Sequence, residues 1–407
     1  MYTRKNRQAT IIIVVTLFLK AEGIGGANDK AVTAASTTCK EIEYNNKIVA
    51  HFESMISGAT GNAQALRKEA LVYQLAAAQA SQPETALTYT ALHALTTSRL
   101  QKQESDISKE ETRIRTLIDK LKSRNANLKL LQYRTPAQAL TLTSAGYTKP
   151  NDRWLGASDT LQCTLTAAAA AAANDPCEGE AATEAIQQHA TEEFSTTQEF
   201  PFTDDSEFKA PVITSVVRAI GDVSSAQEAV AGSSACAATA NTMGSKTAGA
   251  GIQTQTLTAL KSPSKTAVVK TKGTDNNCKD KTNIYPWGFV GVAELGDLLC
   301  AARQATIPTQ QAPSRQTGKQ LASDPAMVKI ANTLTGTTPA AEAGPEIKAK
   351  AAKHILEDTD STIQKKFIDP LADTKISFKS GGSIVAGNIK DLSVGANAVA
   401  TLTYLQH

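Results

Sequence analysis

Between Val49 and Ala80 the chain reads VAHFESMISGATGNAQALRKEALVYQLAAAQA, and this stretch decides the fold. Val49, Ile56, Ala63, Ala70 and Ala77 recur at seven-residue intervals, with Phe52, Ala59, Leu66, Tyr73 and Ala80 three positions later. Two apolar positions in every seven make a coiled-coil seam, a register that a strand cannot hold on one face. Downstream, Leu100, Ile107, Ile114, Leu121 and Leu128 keep the same period, helped by Leu117 and Leu131, among mainly charged or polar residues. The first seam is rich in alanine and admits a close partner, while the second is rich in Leu and Ile and can fill the space left. Between them lies Ser81-Gln82-Pro83-Glu84-Thr85. A proline pushes the residue before it out of the helical region, and Ser and Thr suit helix ends. The expectation is an antiparallel hairpin over Cys39 to Gln132, a rod on the order of 60 to 70 Å at about 1.5 Å per residue. The fold class is therefore mainly α, an elongated helical hairpin with a loop-rich lobe containing short β-strands.

Before the hairpin, Arg4, Lys5 and Arg7 precede the apolar run Ile11 to Leu19, followed by Gly23, Gly25, Gly26 and Ala27. Residues 1–27 read as a secretory signal peptide. The apolar run is shorter than the roughly 20 residues that span a bilayer. The six cysteines, Cys39, Cys163, Cys177, Cys236, Cys278 and Cys300, all follow it. An even set in an exported chain reads as disulfides, with a connectivity that spacing leaves open. No C-x-x-C or paired-histidine spacing supports a metal site. With 407 residues, 41% of them hydrophobic, the chain can bury a substantial core as one elongated domain or two compact ones. A net charge of +3 and the lack of a basic run with interleaved aromatics leave nucleic acid unimplied.

After Gln132, Thr135 to Leu165 reads as irregular chain laid over the hairpin, and Ala167 to Ala173 as either a short helix stopped at Pro176 or a solvated link. Glu180 to Glu193 is helix-prone, and Phe194 to Phe208 reads as an extended segment anchored by aromatics. From about 212 to 291 the composition turns to Ala, Gly, Ser and Thr, with short strands expected at Gln253 to Leu260 and Thr266 to Lys272. The tip Lys272 to Asp280 is nearly all polar and should be exposed. Trp287, Phe289, Val292, Leu295, Leu298 and Leu299 offer a core segment. Closing helices follow over 324–407, at Asp324 to Leu334, Glu346 to Glu357 and Ser361 to Ile368, before a last segment from Ile376 to Leu405.

No catalytic or cofactor-binding residue emerges. Gly244-Ser245-Lys246-Thr247 lacks the glycine placement of a phosphate loop, and no G-x-S-x-G, H-E-x-x-H or G-x-G-x-x-G occurs. Glu110 with Arg113 and Glu111 with Arg115 read as ion pairs on a solvated helix face. His354 and His51 read as structural histidines. Asn-X-Ser/Thr is absent, so conventional N-glycosylation is excluded. Ser262 and Ser264, flanking Pro263, are accessible hydroxyls for O-linked sugar, although bare serines in an ordinary turn are the simpler reading.

A signal peptide, Cys39-Lys40-Glu41 leading into an alanine-rich arm from Tyr44 to Ala80, a second arm from Thr85 to Gln132, Cys163 in Leu161-Gln162-Cys163-Thr164-Leu165 and a closing Ala396 to Tyr404 form one layout. It resembles the N-terminal domain of trypanosome variant surface glycoproteins of the class A group. The resemblance implies a membrane-distal coat domain that forms a homodimer, is seen by host antibodies and varies antigenically. It also implies a GPI anchor, carried by a separate C-terminal domain that this chain does not include. In that group the first cysteine is tied to one beyond the hairpin, which pairs Cys39 with Cys163. Cys177 with Cys236 and Cys278 with Cys300 are then the remaining expected bonds. The function expected is a dense, antigenically variable surface layer that shields the cell from antibodies, outside the plasma membrane and without enzyme activity. The alternative is a binding protein on the same scaffold, of the receptor or serum-resistance type, that captures a host serum protein.

Overall fold

The computed structural model describes residues 29–135, 140–148, 162–168, 177–178, 180–209, 212–220, 249–273, 276–280, 289–357 and 359–406. The expected signal peptide, 1–27, lies outside them. After a short α1 (Lys30–Ala34), the two arms are α2 (Thr38–Gln79) and α3 (Pro83–Arg134), packed against each other as an antiparallel hairpin. Thr37 caps α2 by accepting the Lys40 N–H at 3.2 Å. Gln82 is extended, as the residue before a proline must be, and Pro83 opens α3 where its missing N–H costs nothing. At about 1.5 Å per residue the arms run about 63 and 78 Å.

Burial follows the heptads along most of the first arm. Val49, Phe52, Ile56, Ala59, Ala63, Leu66, Ala70 and Tyr73 are buried, and only Ala77 and Ala80, beside the turn, are half-exposed. In the second arm Ile114, Leu117, Leu121, Leu128 and Leu131 are buried. Leu100 and Ile107 depart from expectation. They are half-buried, and the interior positions between Thr96 and Ile114 go to Gln103 and Asp106. At Gln103 the reason is a crossing segment, residues 305–317, whose Gln310 N–H needs a polar partner there, while Asp106 pairs with Lys102 and Lys109 on its own helix.

Two apolar clusters result, one toward each end. The head cluster joins Ile48, Phe52 and Ile56 with Ile114 and Leu121, and with Phe194, Phe200, Leu295 and Leu299 from the lobe. The base cluster joins Tyr73, Leu75, Tyr89, Leu92 and Leu95 with Leu321, Met327, Ile355 and Phe367.

The lobe contains β1 (Thr141–Thr148) and β2 (Gln162–Ala168), then α4 (Glu184–Glu193) and β3 (Glu199–Phe202). It continues through β4 (Ile213–Ile220), β5 (Gly249–Leu257), β6 (Ser264–Ala267) and α5 (Val292–Ala302). The pairs β1–β2, β3–β6 and β4–β5 are antiparallel and two-stranded. The first pair replaces the irregular chain expected before Leu165, and Ala167 and Ala168 are strand, contrary to both alternatives considered for the alanine run. Threonine recurs in both strands and supplies the β preference that alanine lacks.

The base is built from α6 (Gly318–Ala322), α7 (Pro325–Leu334), α8 (Pro345–Lys348) and α9 (Lys350–Ile355). A hairpin of β7 (Ile376–Ser380) and β8 (Ser383–Gly387) follows, then α10 (Ile389–Leu392) and α11 (Ala396–Gln406). That hairpin interrupts the helices expected over 324–407. Its two-residue loop, Gly381-Gly382, has φ of +54° and +87°, the left-handed pair that a tight hairpin turn demands.

Candidate functional site

Chemistry concentrates at the head, where α2, α3, α4 and α5 meet. The side chain of Arg124 is fully buried. Its Nε donates to Glu41 Oε1 at 3.2 Å, Nη1 to the Val290 carbonyl at 3.0 Å and Nη2 to the Thr203 carbonyl. Its guanidinium carbon lies 4.6 Å from the centre of the Phe208 ring. Glu41 accepts the Thr203 N–H at 2.6 Å through its other oxygen. Burial pushes the Glu41 carboxyl above its ordinary range, against the pull of Arg124 and Thr203. Asp205 lies 3.5 Å from Arg124 Nη1 and accepts the Val292 N–H at 3.0 Å, at the start of α5. Four segments, the two arms, residues 203–208 and the chain entering α5, are thereby locked around one cation. Sequence reading missed this lock, because Arg124 lies among the charged residues of the second arm. The available signal was its position, three residues after Leu121 and four before Leu128, on the seam side of the helix.

Beside the lock, a cleft of about 730 Å³ opens between α2, α3 and the start of α4. Its size falls within the range of small-molecule sites. The floor includes Ile42 and the Cys39–Cys177 disulfide, and the walls carry Lys40, Lys47 and Lys129 against Glu43, Glu178 and Glu180. Lys40 pairs with Glu43 at 3.3 Å and Glu180 at 3.7 Å. Partial burial works to raise the Glu43 carboxyl, and hydrogen bonds from Gln187, the Thr183 N–H and Lys40 outweigh it, holding the group below its ordinary range. Three lysines and three glutamates balance, so the cleft suits an apolar or dipolar guest better than a simple ion.

The cysteines correct one expectation and meet another. Cys39 bonds to Cys177, not to Cys163, and this also rules out Cys177 with Cys236. Cys177 comes just before α4, whose N-terminal segment Lys40 and Glu43 hold against the start of the first arm through the Ala181 carbonyl and the Thr183 N–H. Cys163 lies in β2, opposite Tyr147. Its side chain and all of Cys236 lie outside the described residues. Cys278 and Cys300 are bonded as expected, tying the tip to α5.

Ser262 and Ser264 are both exposed, Ser264 at the first position of β6. The described part of the tip is largely exposed. Its outline is held by the pairing of Val269 with Cys278. Glu110 pairs with Arg113, and Glu111 with Arg115 at 2.7 Å. His51 packs edge-to-face on Phe52, near Phe194, and burial lowers its pKa. His354 is exposed and does not join the core. Among the described residues no cluster of His, Cys, Asp or Glu is placed to hold a metal ion, and no helix is long and apolar enough to cross a membrane.

No protein-family model matches the chain, and no curated protein matches it. Solved structures do. A variant surface glycoprotein, VSGsur, bound to suramin, superposes with a TM-score of 0.71 at 21% identity over 92% of this chain and 98% of that one. The fold is that of a variant surface glycoprotein. Another structure of VSGsur aligns at a TM-score of 0.67 and 19% identity over 92% and 98% of the two chains. A second variant surface glycoprotein, VSG13, is more distant, at 0.51 and 12% over 91% and 97%. The likeness therefore spans the hairpin, lobe and base together. At these identities it speaks for the variant surface glycoprotein architecture and not for any shared site.

Proposed function

We propose that the chain is an exported coat protein that forms a dense, antigenically variable layer on the outer face of the plasma membrane and shields the cell from host antibodies. The observation that carries this reading is the rod itself, shared over nine-tenths of the chain with variant surface glycoproteins. A rod places exposed loops at one end and keeps its long flanks for neighbours. In this reading residues 1–27 direct export, residues 28–407 form the coat domain, and a GPI anchor is supplied through a separate C-terminal domain. The role is steric and not catalytic.

The copies pair as a homodimer along the hairpin. Supporting this, a groove of about 520 Å³ runs between the arms past Ile56, Thr60, Gly61 and Ile118, and Gly58 and Gly61 have open space where a Cβ would stand. Light scattering should give twice the chain mass, and Gly61→Arg should halve it. A monomer at micromolar concentration would count against the pairing. For the coat itself, antibody raised to the folded chain should stain unpermeabilised cells expressing the full reading frame. A phosphatidylinositol-specific phospholipase should release that stain, and purely intracellular signal would end the proposal.

The second reading, a binding protein on the same scaffold, is favoured by the head cleft and by the suramin held by the similar VSGsur. Incubation with host serum that recovers one stoichiometric protein would favour it over the coat. O-linked sugar at Ser262 or Ser264 is proposed as a decoration of the exposed lobe, and an intact mass without hexose increments would dispose of it.

A further inference from the structure

The head and base clusters share the hairpin, yet neither crosses its middle. Between them the seam offers Ala59, Ala63, Leu66 and Ala70 from the first arm, while the second arm contributes Gln103 and Asp106. Alanine buries little area, so apolar packing couples the two halves weakly there. Residues 305–317 run from the head, after α5, to the base, before α6, and cross the arms at this waist.

Their contacts with the arms are polar and specific. Gln103 Oε1 accepts both Asn62 Nδ2 and the Gln310 N–H at 2.9 Å, and Asn62 Nδ2 also reaches the Gln310 carbonyl at 2.9 Å. Glu69 takes the Ser314 N–H at 2.8 Å and its hydroxyl at 2.6 Å, one carboxylate oxygen for each. Arg99 donates to the Gln311 carbonyl and Gln316 Oε1, both at 2.6 Å, and to Asp324 Oδ2 at 2.8 Å, beside α7. The strap itself buries Ala312, Pro313 and Ser314 against the arms.

We propose that segment 305–317 is a clasp that couples the head and base halves of the rod into one cooperative unit, substituting directed hydrogen bonds for the apolar seam missing at the waist. Charged and buried hydrogen bonds are the strongest of the polar contacts and fail sharply when one partner is lost. A strap fastened to both arms by Asn62, Glu69, Arg99 and Gln103 carries strain from one end of the rod to the other. Released, it leaves two hydrophobic bodies joined by bare helix, each free to open alone.

Hydrogen exchange on the whole chain tests this. In the wild type, peptides covering 89–96 in the base and 114–121 in the head should exchange through a common opening. In Glu69→Gln/Arg99→Met, amides of 310–316 should exchange faster by on the order of tenfold. The head and base peptides should separate from each other by a similar factor, and thermal unfolding should resolve into two steps. Lys122→Ala, which removes an exposed pair with Glu53, serves as the control and should leave one step. Arg99→Lys, which keeps the charge and loses the fork, provides a milder variant with a smaller separation in the same direction if the double substitution fails to fold. The proposal is overturned if both halves lose protection equally in the clasp variants, or if they already open independently in the wild type.

Discussion

Replacing Arg124 with Met leaves a side chain of similar length that cannot satisfy what the guanidinium holds. Glu41 keeps the Thr203 N–H but loses its buried counter-ion, and the Val290 and Thr203 carbonyls lose their donors. Removing one partner of a buried ion pair costs about 3–5 kcal/mol. Unfolding entropy for a chain of this length is about 0.8 kcal/mol/K, so a loss of about 4 kcal/mol lowers Tm by about 5 °C. The pH dependence has a definite sign. Burial raises the Glu41 pKa from 4.5, so its contribution is fully present below the unfolded value and is lost as pH rises through the folded value. Without the guanidinium that loss is steeper, and the gap between variant and wild type should narrow as pH falls from neutral toward the ordinary value of 4.5. Glu41→Leu/Arg124→Met, which removes both charges, should recover part of the loss. Thermal melts followed by circular dichroism across this pH range measure all three. A drop as small as that of the exposed Lys122→Ala control, or a double variant no better than the single one, would refute the reasoning.

Closing the loop from Cys39 to Cys177, separated by 138 residues, is worth about 5 kcal/mol in chain entropy, so Cys39→Ser should lower Tm by several degrees. A non-reducing peptide map should recover the Cys39–Cys177 pair, and recovery of Cys39 joined to Cys163 would overturn it. Gly291→Ala would bring a methyl 2.9 Å from Asp205 Oδ2, pushing that carboxylate off the start of α5. The expected cost is about 1–3 kcal/mol, read by urea titration, and an unchanged midpoint would contradict the packing. Burial lowers the His51 pKa below 6.5, so its neutral form stabilises the fold above that value and the benefit fades as pH falls through the folded one. His51→Gln should flatten this acid-side decline, and identical slopes for the two proteins would remove His51 from it.

The hairpin was legible because a seven-residue repeat has no competing interpretation, and Pro83 marked the reversal. The waist was not, since Leu100 and Ile107 carry the same period as their neighbours and only the arrival of residues 305–317 gives Gln103 a buried partner. Long-range partners also hid Arg124, whose acceptors come from segments 79 and 166 residues away in sequence. The β7–β8 hairpin did leave a local mark in Gly381-Gly382. The first disulfide could not be read from spacing, because Cys163 and Cys177 are both near enough in sequence to the same lobe. Polar contacts between Lys40, Glu43 and the segment before α4 favour Cys177.

The Cys39–Cys177 bond makes the entire hairpin, both arms and the turn at Pro83, part of one covalent ring. A single protease cut anywhere within that ring liberates no fragment, and the pieces stay tethered until a reductant opens the bridge. The nicked protein would keep its mass on a non-reducing gel and divide only after thiol treatment.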